Sequence, residues 1–348
     1  MNKAQEVAKE INEMLGSNTV IFGNDKRLKV EYIKTGVLPI DHLLNGGIPK
    51  GRFTELFGAY STLKSYIGLS TIAQAQKEGG VCALIDTEHA YDPEWARSLG
   101  VDTDSLIYQA PDTGEEAIDT SETLIRNGVD LIVWDSVAAT LPQAESNKRM
   151  SKESVQPARL AALMSLGMRK LTSANRHTAI MFINQTRMSV GVMFGDPEVV
   201  AGGKALPYYA SYRVSLRKAG KVKETTDGFD DEGHKTKVNS ITGIKIRATL
   251  EKSKLSSPAR ETIFTFDLLQ GKVDEIGYLI SCGLLKEIIK HEGRSWWVYE
   301  NEKQVGLDKF RGYLEANPAI QETIRASLIQ KQDGKQELAK KKVEKPKK

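Results

Sequence analysis

Cysteine is nearly absent from this 348-residue chain. Its two cysteines, Cys82 and Cys282, both stand in apolar surroundings. Two thiols so placed argue against a disulfide framework and for a reducing, intracellular setting. No Cys/His spacing matches a zinc site. No apolar run approaches the length of a membrane span, and the opening Met1-Asn-Lys-Ala-Gln-Glu does not read as a signal peptide. A large excess of one charge is also missing, since the total is only +4. That charge is unevenly placed. Residues 331–348 hold eight lysines and three acids, a local +5, so the remainder is close to neutral. This lysine-rich end has almost no apolar residues and reads as a disordered, solvated tail. It could equally add sequence-independent affinity for polyanions. Hydrophobic content of 40% and charged content of 27% are ordinary for a globular protein, and the length allows two or three domains with a sizeable core.

Against those absences, the chain holds four polar residues or groups that each follow an apolar strand pattern. Gly58-Ala59-Tyr60-Ser61-Thr62-Leu63-Lys64-Ser65 follows the apolar run 53–57 and opens a helical pattern. Val81-Cys-Ala-Leu-Ile-Asp-Thr-Glu88 ends a second strand in a carboxylate, and Leu131-Ile-Val-Trp-Asp135 ends a third in another. Met181-Phe-Ile-Asn-Gln185 ends a fourth in an amide. In a parallel α/β sheet the carboxyl ends of strands form the edge where ligands bind. The set reads as a site for ATP and magnesium, with a carboxylate to activate water and a sensor for the γ-phosphate. The first piece departs from the usual phosphate-loop pattern G-x-x-x-x-G-K-[ST], because Leu63 stands where the second glycine belongs. Backbone N–H groups of such a loop wrap the phosphates at a helix N-terminus. Lys64 would reach the β and γ oxygens, and the Ser65 hydroxyl would hold magnesium. Leucine is expected here only with a negative φ and a side chain turned away from the nucleotide.

Along the chain, residues 3–15 read as an amphipathic helix with Ala4, Val7, Ile11, Met14 and Leu15 on one face, closed by Gly16. Residues 19–22 read as a short strand. This arm, 1–29, carries an apolar stripe that needs a partner, either its own domain or a neighbouring subunit. Residues 30–272 alternate strands and helices in the α/β manner. Two stretches interrupt them. Residues 145–156 are polar and include Lys148, Arg149 and Lys152; residues 186–206 hold Gly191, Gly195, Pro197, Gly202 and Gly203. A loop near twenty residues in a compact domain is usually functional or disordered. Residues 220–243 read as a mobile polar hairpin. A small module, 273–330, carries helical apolar spacing and the pair Trp296-Trp297, and the basic tail 331–348 follows.

Longer phrases carry a resemblance. Ile85-Asp-Thr-Glu-His-Ala-Tyr-Asp-Pro, Gln109-Ala-Pro-Asp-Thr-Gly-Glu, Val133-Trp-Asp-Ser-Val-Ala-Ala, Met168-Arg-Lys-Leu and Phe182-Ile-Asn-Gln-Thr-Arg-Met all resemble the bacterial RecA recombinase family. So do Gly191-Val-Met-Phe-Gly-Asp-Pro-Glu, Gly202-Gly-Lys-Ala-Leu and Tyr209-Ala-Ser. The match spans roughly residues 5–325. A bulky residue at the Leu63 position is similar to phage recombinases of the T-even type.

The resemblance implies a RecA-type P-loop ATPase core with a mostly parallel central sheet. An N-terminal helix–strand oligomerisation arm and a small α+β C-terminal domain that gathers duplex DNA would flank it. It implies a filament on single-stranded DNA that pairs and exchanges strands with double-stranded DNA, driven by ATP with magnesium. Single-strand-binding and mediator proteins would be partners, no membrane would be involved, and the setting would be the cytoplasm of a bacterium or phage-infected bacterium. Residues 58–65 with Tyr66 would bind nucleotide, and Ser65 and Asp135, the latter through water, would hold the metal. Glu88 would be the catalytic carboxylate and Gln185 the γ-phosphate sensor. Asp92 and Trp95 would contact adenine, the indole replacing the family's usual tyrosine as a stacking surface. Lys252 and Lys254 would enter the site of the adjacent subunit, as an arginine finger does. DNA would meet Lys148, Arg149, Lys152, Arg169, Arg187, Met188, Ser189, Val190, Gly202 and Gly203 in and beside the two loops, with little sequence preference. Besides Leu63, Pro207 and Tyr208 replace a Lys-Phe pair at a subunit contact, and the tail is basic where relatives are acidic. Two other readings stay open: a hydrolysis-impaired paralogue that protects DNA or modulates another filament, and a ring helicase on the same core.

Overall fold

The computed structural model describes residues 2–146, 157–188, 198–229 and 234–329. Helix α1 (Lys3–Leu15) opens with a capping box. The Asn2 side chain accepts from Gln5 N at 3.0 Å, and the Gln5 side chain accepts from Asn2 N at 2.8 Å. Gly16 closes the helix at φ +58°. None of its residues is buried, and Val7, Met14 and Leu15 are 45, 76 and 55% exposed. The strand expected at 19–22 does not form. A strand needs a neighbouring edge, and Val20 instead bonds both backbone groups to the Asn12 amide at 2.9 Å.

Strands β1 (Tyr32–Ile33) and β2 (Ile48–Pro49) make a small antiparallel ribbon around α2 (Leu38–Leu43). Next come β3 (Phe53–Gly58), α3 (Lys64–Lys77), β4 (Cys82–Asp86), α4 (Pro93–Ser98) and β5 (Ile107–Gln109). Helix α5 (Gly114–Arg126), β6 (Leu131–Asp135), α6 (Gln143–Ser146), α7 (Pro157–Ala174) and β7 (Ala179–Met188) follow. The chain continues through β8 (Glu198–Val200), α8 (Ala205–Tyr209), β9 (Tyr212–Phe229), β10 (Lys235–Ser253), β11 (Arg260–Asp267) and β12 (Lys272–Val273). The central sheet runs β12-β11-β10-β9-β3-β7-β6-β4-β5, and every pair from β9 to β5 is parallel. The antiparallel additions are β10 to β12 on one side and β8 on β7.

Strands buried on both faces read as continuous apolar runs, and their alternate residues feed two cores. Leu131, Val133, Met181 and Ile183 pack with Ile67 and Ile72 of α3. Ile132, Trp134, Ile180 and Phe182 pack with Ile118 of α5 and Met168 of α7. Both cysteines are buried. The expected 220–243 hairpin is the outer part of the β9–β10 ladder, which pairs Phe229 with Lys235. The long loop 186–206 is more ordered at its ends than expected. Thr186 to Met188 pair with Val200 to Glu198, and α8 begins at Ala205.

After β12 come α9 (Glu275–Leu285), the antiparallel sheet β13 (Ile289–Glu292), β14 (Trp296–Tyr299) and β15 (Glu302–Val305), then α10 (Leu307–Ala316) and α11 (Pro318–Ile329). Arg311–Asp274 at 2.7 Å and Arg325–Glu275 at 2.8 Å tie the last helices to the start of α9. The basic segment 331–348 lies outside the described residues.

Because α1 buries nothing, deleting residues 1–24 should leave the rest folded. Calorimetry should show a melting temperature within about 2 °C of the parent, as for changes at unburied positions. A drop of ten degrees or more would mean that the arm stabilises its own chain.

Candidate active site

Strand β3 delivers the phosphate loop. Gly58 is fixed by its neighbour strand, since a Cβ there would come within 2.1 Å of the Leu216 carbonyl. Leu63 corrects the expectation of a negative φ: it sits in the left-handed region at φ +69°, ψ 18°. The leucine therefore takes the backbone conformation that glycine would supply, at a cost of about 1–2 kcal/mol. Its half-buried side chain packs against the α3-side core, as the turned-away expectation required. Lys64 opens α3 and folds back over the loop. Its ammonium donates to the carbonyls of Gly58 at 3.1 Å and Ala59 at 2.8 Å. Burial pulls its pKa down. An ammonium resting on carbonyls that neighbour the phosphate path is held where anionic oxygens would take it over.

The Ser65 hydroxyl donates to Asp135 Oδ2 at 2.6 Å across α3 and β6. Burial pushes the Asp135 carboxyl up to about 6. A hydroxyl and a partly desolvated carboxylate form an oxygen donor pair that suits magnesium, which keeps several waters and takes one or two protein ligands. From the strands on either side of β6, Glu88 Oε1, just past β4, accepts from Gln185 Nε2 of β7 at 2.6 Å and from the Ser136 hydroxyl. The sheet thus brings together the loop, the metal-side pair and the carboxylate–amide pair.

Ser65, Glu88, Asp92, Trp95 and Asp135 line one cavity of about 260 Å³, with an apolar back wall of Leu69, Leu84 and Val133. Larger surface depressions lie elsewhere and contain none of these groups. Asp92 caps α4, accepting from the N–H of Glu94 at 2.8 Å. Trp95 is 42% exposed beside it, so it is no buried helix residue. Within the loop, Thr62 donates to the Ala59 carbonyl, while Ser61 sits at φ +54°. Tyr60 is exposed beneath the Lys218 ammonium. Tyr66 packs its ring edge-on against Phe266 and does not line this cavity.

Asp86 escaped the sequence reading. It accepts from the N–H groups of Glu88, Ala90 and Tyr91 at 2.9–3.1 Å and from the Tyr108 hydroxyl at 3.2 Å, which fixes the loop carrying Glu88. The signal was visible, since Asp86 ends the same apolar run. Ser136 and Asn184 also escaped it.

Lys252 and Lys254 stand apart from this edge. Lys252 pairs with Arg213, which pairs with Glu55, three residues before Gly58. At ~3.3 Å per residue this is about 10 Å back along β3, at the opposite end of the sheet. Both ammoniums rest on carbonyls ending α8: Lys252 on Pro207 at 2.6 Å and Tyr208 at 2.8 Å, Lys254 on Tyr208 at 3.1 Å.

Of the expected DNA contacts, Arg169 is exposed on α7 and Arg187 is exposed on β7. Met188 ends β7, and Lys148, Arg149, Lys152, Ser189 and Val190 lie outside the described residues. Gly202 is buried at φ +82°, where a Cβ would meet Val137 at 2.9 Å; at Gly203 it would meet Ala161 at 2.7 Å. Close packing by itself requires glycine at both positions.

A parallel sheet whose first strand feeds a phosphate loop, with oxygen donors on the next strand ends, defines a nucleotide-binding α/β core. The family model for the RecA N-terminal domain matches residues 3–272, and the chain belongs to the RecA family. It is 41% identical to Protein RecA of Acinetobacter baylyi over 331 residues, covering 93% of this chain and 90% of that protein. It is 39% identical to Protein RecA of Brucella canis and of Brucella suis over 321 residues, covering 90% of this chain and 84% of each. Among the described residues no helix is long and apolar enough to cross a membrane.

The left-handed Leu63 yields an ordering of variants. Leu63→Ala keeps the unfavourable φ and loses the side-chain packing, whereas Leu63→Gly removes the φ penalty. Leu63→Gly should therefore be more stable than Leu63→Ala by about 1 kcal/mol, measured by urea unfolding. The reverse order would show that φ is negative in solution.

Proposed function

We propose that this chain is an ATP-dependent DNA recombinase that polymerises on single-stranded DNA and exchanges strands with a homologous duplex. The observation that carries this reading is the split of the site. Lys64, Ser65, Glu88, Asp135 and Gln185 gather at one sheet edge, while Lys252 and Lys254 occupy the other. A lysine pair so placed serves a neighbouring copy, so hydrolysis and assembly become one process. The exposed α1 stripe fits the same stacking, with Val7 and Met14 available to the next subunit. Membership of the RecA family supports the reading.

Bound ATP with magnesium supplies the phosphoryl group and the metal's charge. Lys64 would exchange the Gly58 and Ala59 carbonyls for phosphate oxygens, and Ser65, with Asp135 acting through water, would hold the metal. Glu88 orients the attacking water and takes its proton. Gln185 lies within hydrogen-bond reach of Glu88, so its amide turns between that carboxylate and the γ-phosphate. Lys252 and Lys254 of the adjacent copy leave their α8 carbonyls to neutralise charge as it develops. Exposed Arg169 and Arg187 contact phosphates of the DNA, and the basic tail adds nonspecific affinity. Base pairing between strands, not side chains, reads homology. The cytoplasm of a bacterium or an infected bacterium is the setting, and single-strand-binding and mediator proteins are partners.

Strand exchange between a circular single strand and a homologous duplex, run with ATP and with a nonhydrolysable analogue, separates a recombinase from a passive DNA coat. Glu88→Gln should still bind nucleotide and DNA but hydrolyse at least about a hundredfold more slowly, as expected for loss of a general base. Hydrolysis at the parental rate would remove Glu88 from that role.

A further inference from the structure

A charged pair is buried in the middle of the sheet, away from the reacting groups. Glu55 is fully buried on β3, and its Oε2 accepts from Arg213 Nε at 2.5 Å. Its other oxygen accepts from Asn184 Nδ2 at 3.0 Å. Burying an ion pair between apolar strands costs more desolvation than a packed apolar pair would, so stability gives little reason for it. Its connections give a better one. Asn184 precedes Gln185 and accepts from the Gln185 N–H at 2.9 Å. Arg213 lies over the Phe57 ring at 4.4 Å, and Phe57 precedes the phosphate loop. On its other side Arg213 approaches Glu251 at 3.8 Å and pairs in register with Lys252. One ion pair therefore touches the strand of the phosphate loop, the strand of the proposed γ-phosphate sensor and the strand of the lysine pair.

We propose that Glu55 and Arg213 form a positioning unit that couples the nucleotide state at one edge of the sheet to the pose of Lys252 at the other; this rests on the ATP reading above. When Gln185 moves, Asn184 changes its hold on Glu55, the carboxylate shifts against Arg213, and Arg213 moves beside the backbone of Lys252. In a stack of copies, occupancy of one site would set the lysines offered to the next. Glu55 and Arg213 touch no substrate.

The test reads Lys252 itself. The full-length chain, without DNA, is acetylated with and without a nonhydrolysable ATP analogue and magnesium, and modification of Lys252 is followed by mass spectrometry. Lys170, paired with Asp119 and Glu122 on the surface, serves as the control amine. Nucleotide should change the Lys252 rate at least about fivefold in the parent, the lower end of a typical coupling between sites. Glu55→Gln combined with Arg213→Met removes both charges together, so neither is left buried alone. That variant should bind a fluorescent analogue with parental affinity and lose the Lys252 response. Asn184→Ser keeps the ion pair, cuts its link to Gln185 and should lose the response too; it carries the test alone if melting shows that the double variant does not fold. A full response in a folded, nucleotide-binding variant overturns the proposal. So does a parent that binds the analogue without any change at Lys252. A parent that binds no nucleotide overturns the ATP reading as well, and direct titration separates that case.

Discussion

Parallel strands that end at one level are the constraint on which the site depends. Glu88, Asp135 and Gln185 are far apart in sequence and come from β4, β6 and β7. They meet because those strands pair in register, with Asp86 opposite Asp135 and Asp135 opposite Ile183. A slip of one residue would turn each side chain to the other face. The register is held by the alternation of Leu131, Ile132, Val133 and Trp134 between two different cores, so the same apolar residues that stabilise the sheet aim the polar ones.

The same geometry divides the labour. A parallel sheet gives its carboxyl edge to one ligand, and antiparallel β10 returns to the far edge. Lys252 and Lys254 are thereby kept from their own phosphate loop by the register of two strands rather than by a loop that could swing. In the single chain their ammoniums rest on the last carbonyls of α8, a favourable place for cations at a helix end. On the proposed reading, such a layout makes each copy incomplete and gives assembly a chemical reason.

Most of this site was legible in the sequence because strand ends are legible. An apolar run that stops in Asp, Glu or Gln marks both the strand and its edge, and helix α1 was readable from its stripe and Gly16. What failed depended on contacts between distant residues. Residues 19–22 have strand-like composition, but composition supplies no partner edge, and the Asn12 amide took the role of one. Leu63 was expected to avoid the left-handed region because leucine disfavours it; the turn into α3 outweighs that local preference. At Gly202 a Cβ would meet Val137, 65 residues away in sequence, a packing demand that the sequence does not display. Glu55 and Arg213 read as ordinary strand residues, and only the pairing of β3 with β9 shows that they meet. The lysine pair was visible only through family resemblance, since two lysines on a strand otherwise read as a solvated face.

Completion of each site by its neighbour is the central claim, and mixing two dead chains tests it most directly. One chain carries Lys64→Ala and keeps its lysine pair; the other carries Lys252→Ala with Lys254→Ala and keeps its loop. Each alone should show little DNA-stimulated ATP hydrolysis. Mixed equally on single-stranded DNA, they should recover about a quarter of the parental rate, because at random order that share of interfaces joins an intact loop to cations supplied in trans. A mixture as inactive as its components, with both chains shown to co-assemble on the DNA, would contradict the account.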